Sequence, residues 1–375
     1  MRLPSWKRLV ALYKGFALLL LNTLVLASAV GIGAGLWIQY GPGPGRSPLE
    51  RQGDALLQLY PGKSRSEVAA LLDETYSRYF EYEPFTGLKE RAYHGRYVRV
   101  DEAGFRHGKN QGPWPPVPGH FNVFVLGGST AFGYGVADDE TVASFLQEAL
   151  SGRTARPARV YNFARGTYYS SQERALFLQL LLADHRPDLA VFIDGLNEFH
   201  SIRDEPSHTR TLRRFMDEYA AVRESPFARL YAPFRAFRRN FPDEPPSTDP
   251  ALADRLIVRY ERNKKIIESS AAAFGVPVAF VWQPTSVYKY DTRRHPLWDK
   301  VKGQPLPGIG SARMEARRRE QPFGREFIWA ADIQDGVPDP LYVGGVHYAP
   351  NLARALARFI ADALVERGLL HEANR

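Results

Sequence analysis

Four short apolar runs, each followed by a segment of helical spacing, restrict this chain to a layered α/β fold. They are Asn122 to Leu126, Arg159 to Phe163, Asp188 to Gly195 and Val276 to Trp282, rich in β-branched and aromatic side chains and set off by glycine, proline or polar residues. Runs of this length and composition read as buried strands. The run at 188–195 has a near-continuous apolar centre, as parallel strands covered on both faces require. The spacing predicts helices over 172–182 and 250–274, a last strand over Glu326 to Trp329, and a closing amphipathic helix from Asn351 to Val365. Strands alternating with helices describe a parallel sheet, and right-handed crossovers put the loops after residues 126, 163, 194 and 329 on one edge.

The loop after the first of these strands holds the most informative stretch. Gly127 and Gly128 end the strand in a tight turn, and Ser129 is the first polar side chain beyond it. From about Asp139 the spacing turns helical, with Val142, Phe145, Leu146 and Ala149 on one face and Asp138 and Asp139 as capping candidates. Open α/β sheets bind ligands at this carboxyl edge. Neither G-x-x-x-x-G-K-[ST] nor G-x-G-x-x-G can be written through residues 127–136, so a phosphate cradle is disfavoured. A plain Gly-Ser turn and a nucleophilic serine remain, and the second needs a base and oxyanion donors from elsewhere in the chain.

The amino-terminal end carries a different signal. Phe16 to Ile38 runs 23 residues without a charge, preceded by Arg2, Lys7, Arg8 and Lys14, with no basic residue after it until Arg46. At 1.5 Å per residue such a helix is ~34 Å long, enough for a ~30 Å hydrocarbon core. The positive flank predicts residues 1–15 in the cytoplasm, a span over 16–38, and the remainder beyond an inner membrane, in the periplasm or outside the cell. Trp37 and Tyr40 stand where an interfacial aromatic belt would be. A cleaved signal peptide with Ala27, Ser28 and Ala29 at the cut is the rival reading. Gly41 to Gly45 then reads as a linker, residues 66–80 as a capped amphipathic helix, and the whole of 39–120 as linker and extension.

Further along, residues 199–248 look like an insertion over the sheet edge. Residues 284–325 read as a second, irregular one, with a basic patch from Arg313 to Arg319 that reads as a solvated helical face. The chain has no cysteine, which excludes disulfides and thiolate metal sites. His94, His107, His120, His185, His200, His208 and His295 show no ligand spacing, so no metal or other cofactor is expected. The formal charge of +8 is spread with mixed signs and forms no nucleic-acid module.

The converging loops supply what a nucleophilic serine needs. Gly166 offers an accessible N–H, Asn197 a side-chain amide, and His347 an imidazole just before the last helix. With these in place the chain resembles the SGNH, or GDSL-type, hydrolase superfamily in its membrane-anchored bacterial form. The first block of that family corresponds to Gly127 to Thr130, with Gly128 where an aspartate is usual. The second matches Asn162 to Gly166, the third Gly195 to Glu198, and the fifth Gly344 to His347. Gly104, Phe105 and Arg106, ahead of the first strand, are similar to a turn in anchored members. The resemblance implies a flavodoxin-like three-layer α/β/α sandwich with a central parallel sheet over residues 121–370. It also implies Ser129 as nucleophile, His347 as general base, and an oxyanion hole made by the N–H of Ser129, the N–H of Gly166 and the amide of Asn197.

One departure bears on the chemistry. The family's aspartate, three residues before the histidine, is Gly344 here. Either a backbone carbonyl holds the imidazole of a Ser–His dyad, or Asp332, Asp335 or Asp339 reaches back to it, or hydrolytic activity is reduced. The implied activity is that of a cell-envelope serine esterase removing O-acetyl or other acyl groups from a polysaccharide or small ester. An O-acyltransferase and a glycan-binding scaffold are the alternatives. Phe132, Tyr134, Tyr168, Tyr169 and Phe199 are candidates for stacking on sugar rings.

Overall fold

In the computed structural model, residues 6–40, 49–50, 53–206, 247–296 and 305–370 are described, together with residues 209, 212 and 216. The chain divides into two units, Met1–Ser47 and Pro48–Arg375. In the first, a single helix α1 spans Trp6–Tyr40. Its Trp6–Ala34 stretch is long and apolar enough to cross a membrane, and its described side chains from Leu12 to Leu36 are exposed. The side chains of Trp37 and Tyr40, and the linker at Gly41 to Gly45, lie outside the described residues, as does most of the expected insertion at 199–248.

The second unit begins well before the expected boundary near residue 121, because the extension packs into it. Helix α2 (Arg65–Tyr76) starts at a reciprocal cap: Ser64 Oγ accepts from the Glu67 N–H, and Glu67 accepts from the Ser64 N–H. Two short ribbons follow. Strand β1 (Phe80–Glu81) pairs antiparallel with β2 (Lys89–Glu90), and β3 (Tyr93–His94) with β4 (Arg99–Val100).

The central sheet consists of β5 (Phe121–Gly127), β6 (Ala158–Asn162), β7 (Leu189–Asp194), β8 (Val278–Trp282) and β9 (Phe327–Trp329). All neighbours are parallel, in the order β6-β5-β7-β8-β9. Counted from β5, this is the 2-1-3-4-5 order of doubly wound flavodoxin-like sheets. The short helix α3 (Ser129–Phe132) and then α4 (Val142–Leu150) follow β5, α5 (Ser170–Leu182) follows β6, α6 (Pro250–Ala273) follows β7, α7 (Pro305–Glu320) precedes β9, and α8 (Pro350–Glu366) closes the chain.

Successive side chains of a strand point to opposite faces, and the core divides accordingly. Val123, Val125, Val191, Ile193, Ala279, Val281 and Ile328 pack with α4 and α8. Phe124, Leu126, Phe192, Phe280, Trp282 and Phe327 pack with α5, α6 and α7. The result is a three-layer α/β/α sandwich. The edge of β6 is met by the extension, where the Arg106 N–H donates to Asn162 O at 2.8 Å.

Two local expectations are corrected. Residues 284–325 are not irregular throughout, since α7 occupies 305–320. Its basic residues lie on the expected solvated helical face and are paired there: Arg313 with Asp254, Arg317 with Glu261, Arg319 with Glu315, and Arg318 over the Trp329 ring. The cap of α4 is Thr141, whose hydroxyl accepts from the Ser144 N–H at 3.1 Å. Asp138 instead is buried against two arginines.

Candidate active site

The loops after β5, β6 and β7 and the segment before α8 meet at the carboxyl edge of the sheet. Ser129 opens the four-residue helix α3, so its N–H is one of the first-turn donors that have no intrahelical acceptor. Gly128 is needed by contact, not by conformation. A Cβ there would run into the Asn197 side-chain amide and stand 2.9 Å from Tyr168 O.

The turn after Ser129 is pinned from the extension. Arg106 is fully buried and donates from Nη1 to Gly133 O at 2.6 Å and Phe132 O at 3.1 Å, from Nη2 to Val136 O at 2.7 Å, and from Nε to Asp138 at 3.0 Å. Asn162 Nδ2 adds bonds to Ala131 O and Phe132 O.

His347 lies 218 residues away in sequence, yet its Nε2 is 3.0 Å from Ser129 Oγ. The loop that carries it closes on itself, with the Val343 N–H donating to His347 O at 2.8 Å and a bridge between Tyr342 and Tyr348. His295 Nε2, 2.6 Å from Tyr342 O, and Ser286 Oγ, on Gly345 O, hold it from outside. Gln283, just past β8, ties the two halves together. Its Oε1 accepts from Thr130 Oγ1 at 2.6 Å and from Tyr348 OH at 2.6 Å, the immediate neighbours of Ser129 and His347.

The other face of the imidazole meets the extension. His347 Nδ1 lies 3.3 Å from the hydroxyl of Tyr76, and the Tyr134 ring stacks on the imidazole at 5.4 Å between centroids. Desolvation in this half-buried setting lowers the His347 pKa to about 4, which keeps the ring neutral and able to accept a proton at ordinary pH. Of the three candidate acids, Asp332 accepts from Lys289 Nζ at 3.0 Å and Trp329 Nε1 at 2.7 Å. Asp335 donates its N–H to Asp332 O, and Asp339 accepts Tyr290 OH on its backbone oxygen. Among the described residues no hydrogen bond joins any of them to His347, nor does a backbone carbonyl take Nδ1.

The expected oxyanion donors are occupied to different degrees. Asn197 Nδ2 donates to Tyr168 O at 2.6 Å, which uses one of its two hydrogens. The Gly166 N–H donates to Glu90 Oε1 at 3.0 Å, an atom that also accepts from Tyr134 OH at 2.9 Å. Glu90 is 1% exposed, and its other oxygen pairs with Arg78 Nη2 at 3.1 Å. Behind Asn197 lie three buried carboxylates, Glu173, Asp194 and Glu198. Burial, then mutual repulsion, raises the pKa of Glu173 and of Asp194, while Glu198 accepts the N–H of Ser170 and of Gly195 at 3.0 Å each and so fixes the Asn197 turn.

Four of the five aromatics considered for sugar stacking are core residues. Phe132, Tyr168, Tyr169 and Phe199 are buried, and only Tyr134 is part-exposed, with its face on His347. Sequence reasoning missed Tyr76, Glu90 and Gln283, which reach the site only through the tertiary fold. Arg106 alone had a signal, as part of the Gly104 to Arg106 turn.

No family model and no curated relative matches the sequence. Among solved structures the chain is similar to a lipolytic protein of the G-D-S-L family from Desulfitobacterium hafniense, at 10% identity and TM-score 0.37, covering 65% of this chain and 99% of that one. It is also similar to a lipase/acylhydrolase from Enterococcus faecalis, at 13% identity and TM-score 0.38, over 68% and 99% of the two chains. A third similar structure is a catalytic mutant of an acetylxylan esterase from Geobacillus stearothermophilus, at 12% identity and TM-score 0.36, over 65% and 93%.

Proposed function

We propose that this protein is a serine acyl-ester hydrolase in which Ser129 is the nucleophile and His347 the general base. The observation that carries the reading is the 3.0 Å contact between Ser129 Oγ and His347 Nε2 at the carboxyl edge of a doubly wound sheet. A serine hydroxyl needs a base within hydrogen-bond reach, and a neutral imidazole supplies it. As Ser129 Oγ bonds to the acyl carbon, its proton passes to Nε2, and the carbonyl electron pair moves onto oxygen. Collapse breaks the ester C–O bond, and the leaving alcohol takes the proton from Nε2. Water, deprotonated by the same nitrogen, then releases the acid and restores Ser129.

The negative oxygen falls to the Ser129 N–H and the second hydrogen of Asn197 Nδ2. The Gly166 N–H joins them only if Glu90 withdraws from it. Each such donor is worth roughly 3–4 kcal/mol of transition-state stabilisation. An anchor formed by α1, with its basic flank in the cytoplasm, supports a substrate in the envelope: an O-acetylated polysaccharide or another acylated polymer.

The test is hydrolysis of p-nitrophenyl acetate by the detergent-solubilised full chain beside Ser129→Ala and His347→Ala. Turnover by the parent and loss of at least about 1,000-fold in both variants supports the reading. Equal rates for the parent and a folded Ser129→Ala would sink it. Release of acetate from acetylated glycans then tests the substrate.

A further inference from the structure

We infer that Tyr76 is the positioning residue of His347, a phenol from the amino-terminal extension standing where a carboxylate would otherwise orient the imidazole. The inference rests on the reading of Ser129 and His347 as nucleophile and base.

The proton inventory sets what Tyr76 must do. For Nε2 to accept the Ser129 proton it must carry a lone pair, so the ring hydrogen sits on Nδ1. Nδ1–H then needs an acceptor, and the atom it meets is Tyr76 Oη at 3.3 Å. When Nε2 takes the proton, that same bond becomes charge-assisted and strengthens. The Tyr134 face, inclined 22° to the imidazole, attracts the imidazolium in the same step. Tyr76 also packs on Tyr134, with 5.6 Å between centroids, so the two tyrosines form one wall around the base. A neutral phenol stabilises an imidazolium less than a carboxylate does, and among the described residues no carboxylate is hydrogen-bonded to His347, residue 344 being glycine.

Tyr76 is placed firmly enough for the task. It is the last residue of α2, whose Val68, Leu71 and Leu72 share a buried cluster with Val343 and Ala349, on either side of His347. Next to it, Glu74 accepts the N–H groups of Arg96, Tyr97 and Val98 at 3.0, 2.7 and 3.0 Å. Tyr60, from the same cluster, donates to Gly135 O at 2.6 Å in the turn after Ser129. The extension is thereby joined to both the serine turn and the histidine loop.

The experiment compares Tyr76→Phe with Tyr79→Phe, a neighbour 76% exposed, in the detergent-solubilised full chain. Two quantities are read: p-nitrophenyl acetate kinetics, and the imidazole nitrogen shifts of His347 in [15N]histidine-labelled protein, assigned with His347→Gln. The expected result for Tyr76→Phe is a kcat lower by about 10–100-fold, with KM within threefold and the melting temperature within 2 °C. The His347 shifts move from a Nδ1–H form toward a mixture of tautomers, and Tyr79→Phe changes neither reading. A kcat within threefold of the parent, together with an unchanged tautomer, overturns the inference. If the parent shows no Ser129-dependent turnover, the proposed hydrolase reading fails. The tautomer alone then decides for or against Tyr76.

Discussion

Arg106→Met tests whether the extension holds in place the turn that carries Ser129, the proposed nucleophile. The substitution keeps most of the volume of a fully buried side chain and removes its charge and donors. Two of the carbonyls it serves keep other partners, because Phe132 O accepts from Asn162 Nδ2 at 3.2 Å and Gly133 O from the Val136 N–H at 3.3 Å. Asp138 also keeps Arg99 Nε at 3.0 Å. What is lost outright is the buried ion pair and the Val136 O bond.

Breaking a buried pair costs about 3–5 kcal/mol, and an orphaned carbonyl about 1–3 kcal/mol. Burial lowers the Arg106 pKa, so its own desolvation opposes the charge, and removing it returns part of that cost. The retained Arg99 partner and this return place the net loss near the lower end, about 4 kcal/mol. With roughly 330 residues unfolding at about 2.1 cal/mol/K each, that lowers Tm by about 6 °C. Differential scanning fluorimetry measures the shift, and p-nitrophenyl acetate hydrolysis well below Tm should fall by at least about tenfold, since a displaced Ser129 loses its near-attack geometry. A Tm within 1 °C of the parent and full activity would refute the pinning role.

Gly128→Ala should lower kcat/KM by at least about 100-fold in steady-state assays, because the new methyl group displaces Asn197, the proposed oxyanion donor. Asp332→Asn should leave kcat within about twofold, since its carboxylate binds Lys289 and Trp329 rather than the base. Glu90→Gln leaves buried Arg78 without its counter-charge and should cost about 3–5 kcal/mol in urea unfolding. The pH dependence follows from the lowered His347 pKa of about 4. As the proposed base, His347 acts when neutral, so kcat/KM should rise through about pH 4 and stay level above it, rather than rising near 6.5. Between these values the unfolded chain binds a proton that the folded one does not. Stability from this group is therefore complete above pH 6.5 and is lost as pH falls toward 4, which acid-unfolding midpoints can check.

Much of the sheet was legible because its strands are buried on both faces. A parallel strand with helices above and below must be apolar almost throughout, as Leu189–Asp194 is. That Ser129, Gly166, Asn197 and His347 share one edge is legible for a related reason, since crossover chirality sends every loop after a strand there; the Glu90 carboxylate on the Gly166 N–H is not. The first turns of helix α7 are hidden in the sequence by Pro305, Pro307, Gly308 and Gly310. The two prolines sit in its first turn, where they cost little, and the glycines admit Val287 and Phe199 at close range. The contact between Tyr76 and His347 spans 271 residues and leaves no local period. Glu90 and Gln283 are likewise polar residues whose partners are named only by the fold.

The most direct test of the Ser129–His347 pair is covalent labelling of the full chain by a fluorophosphonate, located by peptide mass spectrometry. A single phosphonylated residue, Ser129, is expected, formed at least about 100-fold more slowly in His347→Ala because the proposed base is gone. Labelling at another serine, or at Ser129 with a rate indifferent to His347, would contradict it.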